Sequence, residues 1–573
     1  MARRAQLSTD RRQEIAILHK EGYSLRSISA KVNTCRCCNR RQSNASLKPG
    51  PIKTESNWVD QKPLQKVQDQ YIKLICLCNR RLIAPEISSA TGSFAPVSTI
   101  KRRFLDAGLK GRYFKYTFAI MSEIRDFYSG RTVLITGATG FLGKVLIEKA
   151  FKLYSNLNAK MPNSLKKIVA IEGDLSQPHL GISTSDFETL INVVSIVFHS
   201  AATVKFDEPL KTSVEMNMIG TKRVMQLCRK IVNLEAFVHV STAYCNCDQF
   251  NIEEKVYSCS VKPQQLIDSV EWMDNAIIEH VTPMLLNGKP NTYTYTKGLA
   301  ERMLQDDGSN LPIAIVRPSI IGGSWKEPIP GWVDNYNGPT GIFLAVSKQI
   351  FLNKGILRHL LIDVSKRADI IPVDVPVNMM IAIAWHTAKN KTKELTVYNC
   401  TSSLSNPITW NNFVKYLRPM SISMPLENVV RTPNSNFTNN KIVNRIGTFI
   451  DHQLPAVIMD FFLKVLGKQP RMLTLYKKLH RSLDSLEFFR MNEWNFCTDN
   501  SEKLWTTMSE VDRNIFYFKC DDLNWQEYLK NYYLGAKLYV LKEKLNGKPP
   551  AQAKHNAFFI LAAQEIEQVK QYN

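Results

Sequence analysis

The sequence predicts an α/β protein with a doubly wound, Rossmann-type parallel sheet, preceded by a small all-α region. Three observations lead to this prediction: a glycine-rich turn between a β-branched run and a helical pattern, several buried apolar runs after it, and helical stretches between those runs. The chain has 573 residues, of which 44% are hydrophobic and 10% aromatic. This content is enough to fill several cores, which excludes wholesale disorder.

The positive charge of the chain is concentrated near its start. Residues 1–120 hold 23 Lys and Arg against 8 Asp and Glu, while the whole chain has a formal net charge of +23. This asymmetry predicts a polyanion-binding module fused to a chemically different region. The 12 cysteines do not indicate a disulfide framework in so long a chain, and the first residues carry no apolar segment. We therefore expect no secretory signal, reduced thiols and a protein that is not secreted.

Residues 1–115 contain two helix-turn-helix outlines. The first covers Leu7–Lys31, where Gly22 separates two short helical patterns. The second covers Ala84–Gly111, in which Val97–Arg103 would begin a recognition helix with basic residues directed at phosphates. The alternative is a pair of small solvated helices without a partner, so the pattern leaves DNA binding open.

These two segments resemble the N-terminal DNA-binding region of Tc1/mariner-type transposases over about residues 5–112. Such transposases need a following catalytic domain with three metal-binding carboxylates, and nothing after residue 115 is similar to it. The resemblance therefore implies a DNA-binding remnant rather than a transposase. Five cysteines between the segments have C-x-C rather than C-x₂-C spacing, so we predict unpaired thiols and no metal site; they are Cys35, Cys37, Cys38, Cys76 and Cys78.

A glycine triplet follows the run RTVLIT. Gly137, Gly140 and Gly143 have G-x-x-G-x-x-G spacing and precede a helical pattern. In such a turn the first glycine allows a tight reversal, the second lets the backbone approach a pyrophosphate, and the third lets the helix pack on the strand. The pyrophosphate would lie at the helix N-terminus. We therefore predict dinucleotide binding, with Thr136 and Phe141–Leu142 beside the glycines.

Four further apolar runs indicate parallel strands: Lys167–Leu175, Val193–Ala202, Phe237–Thr242 and Leu311–Pro318. Helical patterns at 214–231 and 296–304 lie between them, as in a doubly wound sheet. Ligands of such sheets bind at the carboxyl ends of the strands. We therefore predict further cofactor contacts at the ends of these runs, from Asp174, Leu175, Ala201, Ala202, Arg317 and Pro318.

Tyr293 and Lys297 lie four residues apart in NTYTYTKGLAE, which places both on one face of a helix. A phenol has a reference pKa of about 10, and an ammonium group one turn away favours the phenolate, so the pair predicts proton transfer near neutrality. A hydroxyl from Ser241 or Thr242, at a strand end, would hold a substrate carbonyl oxygen. Taken alone, Tyr-x-x-x-Lys is more often an exposed helix pair. Behind a glycine turn and a Ser-Thr strand end, the order is that of short-chain dehydrogenases.

Longer motifs indicate a more specific resemblance than the similarity to short-chain dehydrogenases. TGATGFLGK, VFHSAATVKFDEPL, FVHVSTAYCN, NTYTYTKGLAE and IVRPSIIGGSWKEPIPGW resemble the alcohol-forming fatty acyl-CoA reductases of the male sterility family, in their insect form, over about residues 126–545. The resemblance implies NADPH-dependent reduction of a long-chain acyl-CoA to a primary fatty alcohol with release of CoA. It also implies a catalytic set formed by Thr242, Ser241, Tyr293, Lys297 and Asn217. Within this set, Lys297 is expected to contact the cofactor as well.

Two other interpretations remain at the level of sequence. One is a DNA-binding fusion protein whose reductase region is vestigial. The other is an epimerase or dehydrogenase of the same fold, which the IVRPSIIGGSWKEPIPGW stretch and the C-terminal region disfavour. Trp325 and Trp332, in a Gly/Pro-rich loop, would pave an acyl channel or fill a core, and we favour the channel.

The predicted organisation has five parts: a helix-turn-helix extension at 1–115, the reductase domain at 126–395, a connecting segment at 396–470, a small helical C-terminal domain similar to that of the family at 471–545, and a tail at 546–573. Leu454–Leu466 has thirteen residues with two charges inside, too few to span ~30 Å of hydrocarbon, although an interfacial helix is possible. The resemblance implies peroxisomal or endoplasmic reticulum membrane association.

One segment is missing from the predicted dinucleotide-binding half. Only NAKMPNSLK separates the helix after the glycines from the strand Lys167–Leu175, so a whole strand and its helix are absent. In the family this segment supplies the basic residues that hold the NADPH 2′-phosphate, and only Lys144, Lys149 or Lys152 remain to replace them. We therefore predict that the chain binds NADPH poorly, discriminates little against NADH, and is unstable or inactive.

Overall fold

The computed structural model describes residues 122–155, 167–347, 357–390, 394–424, 426 and 436–543. The predicted helix-turn-helix segments, the five N-terminal cysteines and the tail at 546–573 lie outside these residues. From Glu123 onward, apart from 509–511, the described residues form one compact unit. The fold therefore concerns the predicted reductase and C-terminal regions.

The central sheet has five parallel strands in the order β1-β2-β3-β5-β9. Their bounds are Thr132–Thr136 for β1, Val194–His199 for β2, Ala236–Val240 for β3, Ile313–Pro318 for β5 and Thr396–Cys400 for β9. The short strands pair two by two: β4 (Asn251–Ile252) with β11 (Asn495–Phe496), β6 (Ile320–Gly322) with β8 (Ile370–Pro372), and β7 (His359–Leu361) with β10 (Asn436–Thr438). A parallel sheet is thus the framework of the molecule, as the sequence predicts.

Helices connect the strands and cover the sheet. Up to the last sheet strand they are α1 (Glu123–Tyr128), α2 (Phe141–Ser155), α3 (Thr184–Val193), α4 (Leu210–Val214), α5 (Gly220–Lys230), α6 (Pro263–Trp272), α7 (Asn275–Leu286), α8 (Thr292–Asp307), α9 (Pro339–Ser347) and α10 (Asp374–Asn390). After it come α11 (Trp410–Ser423), α12 (Lys441–Thr448), α13 (Leu454–Val465), α14 (Met472–Asp484), α15 (Glu487–Met491), α16 (Asp499–Thr507), α17 (Glu510–Ile515) and α18 (Trp525–Gly535).

The sheet separates two hydrophobic cores. Because successive side chains of a strand point to opposite sides, Ile196 and Phe198 of β2 pack in the core that α10 fills, and Val197 packs with α5 on the other side. Every residue of β2, β3 and β5 is buried, as expected for parallel strands with helices on both faces. The sheet is therefore doubly wound.

The predicted strand at Lys167–Leu175 does not form. This stretch has no strand pairing, and its side chains Ile168 and Val169 are 42% and 75% exposed. The sequence predicts that the strand between it and β1 is missing, which would leave its backbone groups without a neighbouring strand to pair with. Among the described residues, β1 is an edge strand that pairs with β2.

The predicted boundary at residue 395 is wrong. Strand β9, Thr396–Cys400, pairs with β5 and completes the sheet, so the sheet domain extends beyond the boundary. The region after it is largely helical, as predicted, and packs against the sheet domain within the same compact unit.

Within the described residues, no helix has the length and apolar character needed to cross a bilayer.

Candidate active site

The glycine turn lies between β1 and α2 and requires its glycines. Gly137 has a φ of +71°, and a Cβ on it would lie 2.7 Å from the backbone nitrogen of Ala201. A Cβ on Gly143 would overlap the carbonyl oxygen of Gly137, which also accepts the N–H of Gly140 at 3.0 Å. The turn therefore brings bare backbone to the N-terminus of α2, where an anion is stabilised.

A single cleft of about 1400 Å³ collects most of the predicted site residues. This volume exceeds the roughly 300–1,000 Å³ of ordinary small-molecule pockets, so the cleft has room for a dinucleotide together with a second ligand. The predicted cofactor residues that line it are Thr136, Gly137, Gly140, Phe141, Leu142, Gly143, Asp174, Leu175, Ala201, Ala202, Lys297 and Pro318.

Arg317 is the predicted cofactor residue that the structure places elsewhere. Its side chain is fully buried in an ion pair with Glu301 of α8, with an Nη2–Oε2 distance of 2.6 Å. The same guanidinium donates to the carbonyl oxygens of Glu253 and Lys255 at 3.0 and 2.7 Å. Arg317 therefore fastens a loop to the sheet, and it does not line the cleft.

Asp174 reaches the cleft from the irregular segment that replaces the predicted strand. Its backbone N–H donates to the carbonyl oxygen of Leu180 at 2.7 Å. The carboxylate is exposed and accepts the N–H and the hydroxyl of Ser176, both at 2.8 Å, and these bonds lower its pKa. The group is therefore ionised at neutral pH and can accept hydrogen bonds from a ligand.

Four of the five predicted catalytic side chains converge on the cleft: Ser241, Thr242, Tyr293 and Lys297 all line it. Ser241 and Thr242 directly follow β3, and Tyr293 and Lys297 lie on α8, whose N-terminus is capped by the side chain of Asn291. The hydroxyl of Thr242 is close enough to the phenol of Tyr293 to lower the pKa of that phenol. The Nζ of Lys297 donates to the carbonyl oxygen of Val240 at 2.9 Å, which fixes the ammonium at the strand end.

Burial sets the protonation of this pair. It raises the pKa of Tyr293 to about 12, with the hydrogen bond from Thr242 opposing the shift, and lowers the pKa of Lys297 to about 8, with Glu301 opposing it. From the sequence, Lys297 is expected to lower the pKa of Tyr293 by favouring the phenolate. In the structure the pKa of Tyr293 is raised instead, because desolvation of the phenol is the larger effect. At neutral pH Tyr293 is a neutral phenol, ready to donate a proton. The hydroxyl of Ser241 is buried and has no hydrogen-bond partner among the described residues.

Asn217 lies behind the catalytic helix, in a π-helical turn at Glu215–Ile219 between α4 and α5. Its Oδ1 accepts the N–H of Thr203 at 3.0 Å, and its Nδ2 donates to the hydroxyl of Thr296 at 3.1 Å. It does not line the cleft. Its contacts tie α8 to the loop after β2, so the structure gives it a positioning role.

The C-terminal region builds a wall of the cleft that sequence reasoning missed. Phe206 stacks on Tyr293, with ring centroids 5.5 Å apart, and Phe489 of α15 lies 5.3 Å from Phe206. Further apolar lining comes from α9 and from the α14–α15 region, namely Ile342, Ala345, Leu479, Leu483 and Leu486. The only sequence signal was the apolar spacing of α14, which does not distinguish a cleft wall from an ordinary core.

The two loop tryptophans that are expected from the sequence to line an acyl channel do not lie in this wall. Trp332 is buried and stacks on Phe141 with ring centroids 5.3 Å apart. Trp325 packs against the same core, and its ring lies 5.9 Å from that of Tyr517. Neither lines the cleft, so the channel prediction for Trp325 and Trp332 is wrong and the core alternative holds.

Comparison with known proteins places the chain in a family. Two family models described as male sterility protein match residues 149–380 and 451–543. Fatty acyl-CoA reductase 1 of Xenopus laevis is 42% identical over 463 residues, covering 75% of this chain and 89% of that protein. Fatty acyl-CoA reductases 1 and 2 of Homo sapiens are both 41% identical at the same coverage. The chain belongs to the male sterility family of fatty acyl-CoA reductases.

The alignment with the Xenopus reductase is 463 positions long and takes in 75% of this chain, which is fewer than 463 residues, so some of its positions are gaps in this chain. Among solved structures, the terminal R domain from the myxalamid PKS-NRPS biosynthetic pathway has a TM-score of 0.46 and 16% identity, covering 71% of this chain and 90% of that one.

The residues of this reductase fit a nicotinamide dinucleotide. The glycine turn, in which a Cβ at Gly137 or Gly143 would collide with neighbouring backbone, lines the cleft that holds Tyr293 and Lys297. The N-terminus of α2 suits the pyrophosphate, and the buried hydroxyl of Ser241 is available to a substrate oxygen. The fit covers the parts that NADH and NADPH share.

The three lysines that remain as candidates for a 2′-phosphate are engaged by acidic residues. Lys144 pairs with Asp334 at 2.8 Å. Lys149 pairs with Glu327, and Lys152 lies 3.4 Å from the same carboxylate. Each lysine would have to leave its carboxylate to bind a phosphate, so within the described residues these three offer no dedicated cation for the group that distinguishes NADPH from NADH.

Proposed function

We propose that the chain reduces long-chain fatty acyl-CoA to primary fatty alcohol and releases CoA. The observation that carries the proposal is the meeting of the glycine turn, the Ser241–Thr242 strand end and the Tyr293–Lys297 pair in one cleft with an apolar wall. The dinucleotide, when bound along the glycine turn, supplies the hydride for each reduction. We propose NADPH as this dinucleotide, following the family resemblance.

The residues of the chain act on the substrate oxygen. The hydroxyls of Ser241 and Thr242 donate hydrogen bonds to the thioester carbonyl oxygen, where negative charge develops as the carbonyl carbon is reduced. Tyr293 then protonates that oxygen. Lys297, held by the carbonyl oxygen of Val240 at 2.9 Å, stabilises the phenolate that remains until a proton returns from solvent.

Two reductions complete the reaction. The first converts the thioester to a hemithioacetal, which collapses to an aldehyde as CoA leaves with its thiol protonated. The second adds a hydride to the aldehyde carbon and a proton, again from Tyr293, to its oxygen. The acyl chain lies along the apolar wall that includes Phe489 and Leu483, where burial of its methylene groups contributes roughly 0.8 kcal/mol each.

A coupled measurement tests this function. With palmitoyl-CoA, and with cofactor at a concentration high enough to offset the weak binding predicted above, an active chain should oxidise two cofactor molecules for each CoA released, with fatty alcohol as the extracted product. Omission of palmitoyl-CoA gives the background rate. A folded protein that oxidises no cofactor under these conditions would instead support a vestigial reductase region, and accumulation of free aldehyde would limit the activity to the first reduction.

We also propose that residues 1–115 bind DNA weakly, on the basis of their positive charge and their resemblance to a transposase DNA-binding region. Phosphate contacts release counterions, so retention on duplex DNA should fall steeply as salt rises from about 50 to 200 mM, by tenfold or more for several contacts. A chain that begins at Glu123 is the matched control and should not be retained. Absent or salt-insensitive retention of the full chain would leave these residues without a DNA-binding role.

We further propose that the reductase works at a peroxisomal or endoplasmic reticulum membrane. The support is the family resemblance together with the chemistry of the reaction, because a long-chain acyl-CoA and a fatty alcohol are both amphiphilic.

A further inference from the structure

A continuous row of large apolar side chains is exposed on the helices that precede the α14 wall of the cleft. We call it the apolar ridge, and it consists of Ile442, Val443, Ile446, Phe449, Ile450, Leu454, Val457, Ile458, Phe461, Phe462, Val465 and Leu466. Each of these side chains is at least 45% exposed, and Phe461 and Leu466 reach 63% and 69%. Soluble monomers rarely expose contiguous apolar surface of this kind unless it contacts something.

The apolar ridge lies on one continuous helical segment of the backbone. Helix α12, a π-helical turn at Phe449–Gln453 and helix α13 follow one another with helical dihedral angles at each junction, giving one helical segment from Lys441 to Val465. At 1.5 Å per residue the segment is about 37 Å long. Its ridge residues recur mostly at intervals of three and four, so they form a stripe along the helix.

The exposed charges on and beside the ridge are mainly positive. Residues 441–483 contain eight Lys and Arg but only two acidic residues, Asp451 and Asp460. Asp451 is paired with Arg358 and His359, and Asp460 is buried and accepts three backbone N–H groups from residues 471–473. All eight basic residues are exposed, namely Lys441, Arg445, Lys464, Lys468, Arg471, Lys477, Lys478 and Arg481. Lys441 pairs with Glu487 at 2.8 Å, and the exposed Asp484 directly follows this stretch.

The ridge is joined directly to the wall of the cleft. Asp460 of α13 accepts the N–H groups of Arg471, Met472 and Leu473 at 2.8–2.9 Å, which fixes the start of α14 against α13. Farther along the same helix, Leu479 and Leu483 line the cleft. The ridge helix α13 therefore packs against α14, the helix that lines the apolar side of the proposed acyl site.

We propose that the apolar ridge docks the reductase on a bilayer that contains anionic lipids, with the ridge helix lying in the interface. The apolar stripe matches the acyl region of the bilayer, and the exposed Lys and Arg beside it match the anionic headgroups. A second copy of the chain fits less well, because a two-fold contact would bring eight cations against the same eight, while the exposed acid beside them is Asp484, and Glu487 already pairs with Lys441. This inference deepens the proposed function, because it assigns the source of acyl substrate to the lipid surface.

Vesicle flotation of the full chain tests the docking surface without any substrate. Vesicles of phosphatidylcholine with phosphatidylserine should carry the wild-type chain, and the double variant Phe461→Ser/Phe462→Ser should partition about tenfold more weakly or worse. The matched control is Trp272→Ser/Met284→Ser, which removes two apolar side chains that are 71% and 78% exposed on α6 and α7, and it should float like the wild type. Residues 1–120 add the same positive charge to every variant.

A second comparison tests the charges. Lys464→Gln/Lys468→Gln should weaken partitioning about tenfold on the phosphatidylserine vesicles, and much less on pure phosphatidylcholine. Equal flotation of the wild type and the Phe461/Phe462 variant would overturn the proposal, and so would a wild-type dimer that the same variant converts to monomer. Cofactor oxidation with a water-soluble, short-chain acyl-CoA reports the proposed function separately, so that loss of docking and loss of chemistry are distinguished.

Discussion

Replacing Tyr293 with phenylalanine is expected to lower turnover by about 10²- to 10⁴-fold, the contribution of a positioned general acid. Burial keeps the Tyr293 phenol protonated at neutral pH, with a pKa raised to about 12, and the phenol lines the same cleft as the Thr242 hydroxyl. Phenylalanine retains the ring that stacks on Phe206, so folding should be little affected. Cofactor oxidation with palmitoyl-CoA at saturating cofactor measures the loss.

Tyr295→Phe is the matched control for this variant. Tyr295 lies on the same helix, its side chain is 4% exposed, and its hydroxyl has no hydrogen-bond partner among the described residues. Removal of that hydroxyl should leave turnover near the wild-type value. If Tyr293→Phe also turned over at the wild-type rate with unchanged thermal stability, the assignment of Tyr293 as proton donor would be wrong.

The residues of the proposed catalytic set could be placed near one another from the sequence because each belongs to a local pattern. Ser241 and Thr242 end an apolar run, and Tyr293 and Lys297 have the spacing of one helix face. Parallel strands all present their carboxyl ends at one edge, so these local patterns are brought together by the fold class alone. The protonation of Tyr293 was not accessible in this way, because burial depends on every element that packs around it.

Arg317 shows the limit of such local reasoning. Its position at the end of a buried strand is right, but the direction of its side chain depends on Glu301, a carboxylate on a different element. Phe489 shows the same limit over a longer distance, because nothing near it in the chain indicates that α15 will reach Phe206 and Tyr293. Long-range packing decides both positions.

Calorimetric titration is expected to give weak binding of NADPH and nearly the same dissociation constant for NADH. In a doubly wound sheet the second strand follows the glycine helix and lies beside β1, and its end carries the residues that read the ribose. Within the described part of the chain β1 is an edge strand, and residues 167–174 are irregular and exposed except for the half-buried Ile171. The missing neighbour that the sequence predicts should also lower the stability of the sheet.

The charges around the cleft lead to the same expectation. Lys144 is paired with Asp334 at 2.8 Å, and Lys205, another cation of the lining, lies 3.5 Å from Glu208. The exposed carboxylate of Asp174 adds negative charge to the same lining and would repel a phosphate. A bidentate, charge-assisted contact to the 2′-phosphate is what gives an NADPH site its selectivity, and these residues do not supply one.

The titration includes a variant that identifies any replacement for the lost contact. Lys144→Gln should change the dissociation constants of NADPH and NADH by similar factors, because its ammonium group serves Asp334 rather than the ligand. Lys389→Gln, at an exposed ion pair with Glu123, is the control for loss of one surface charge. Tight binding of NADPH with strong selectivity over NADH, abolished by Lys144→Gln alone, would show that this lysine takes over the 2′-phosphate. In that case the missing strand would not determine how this reductase selects its cofactor.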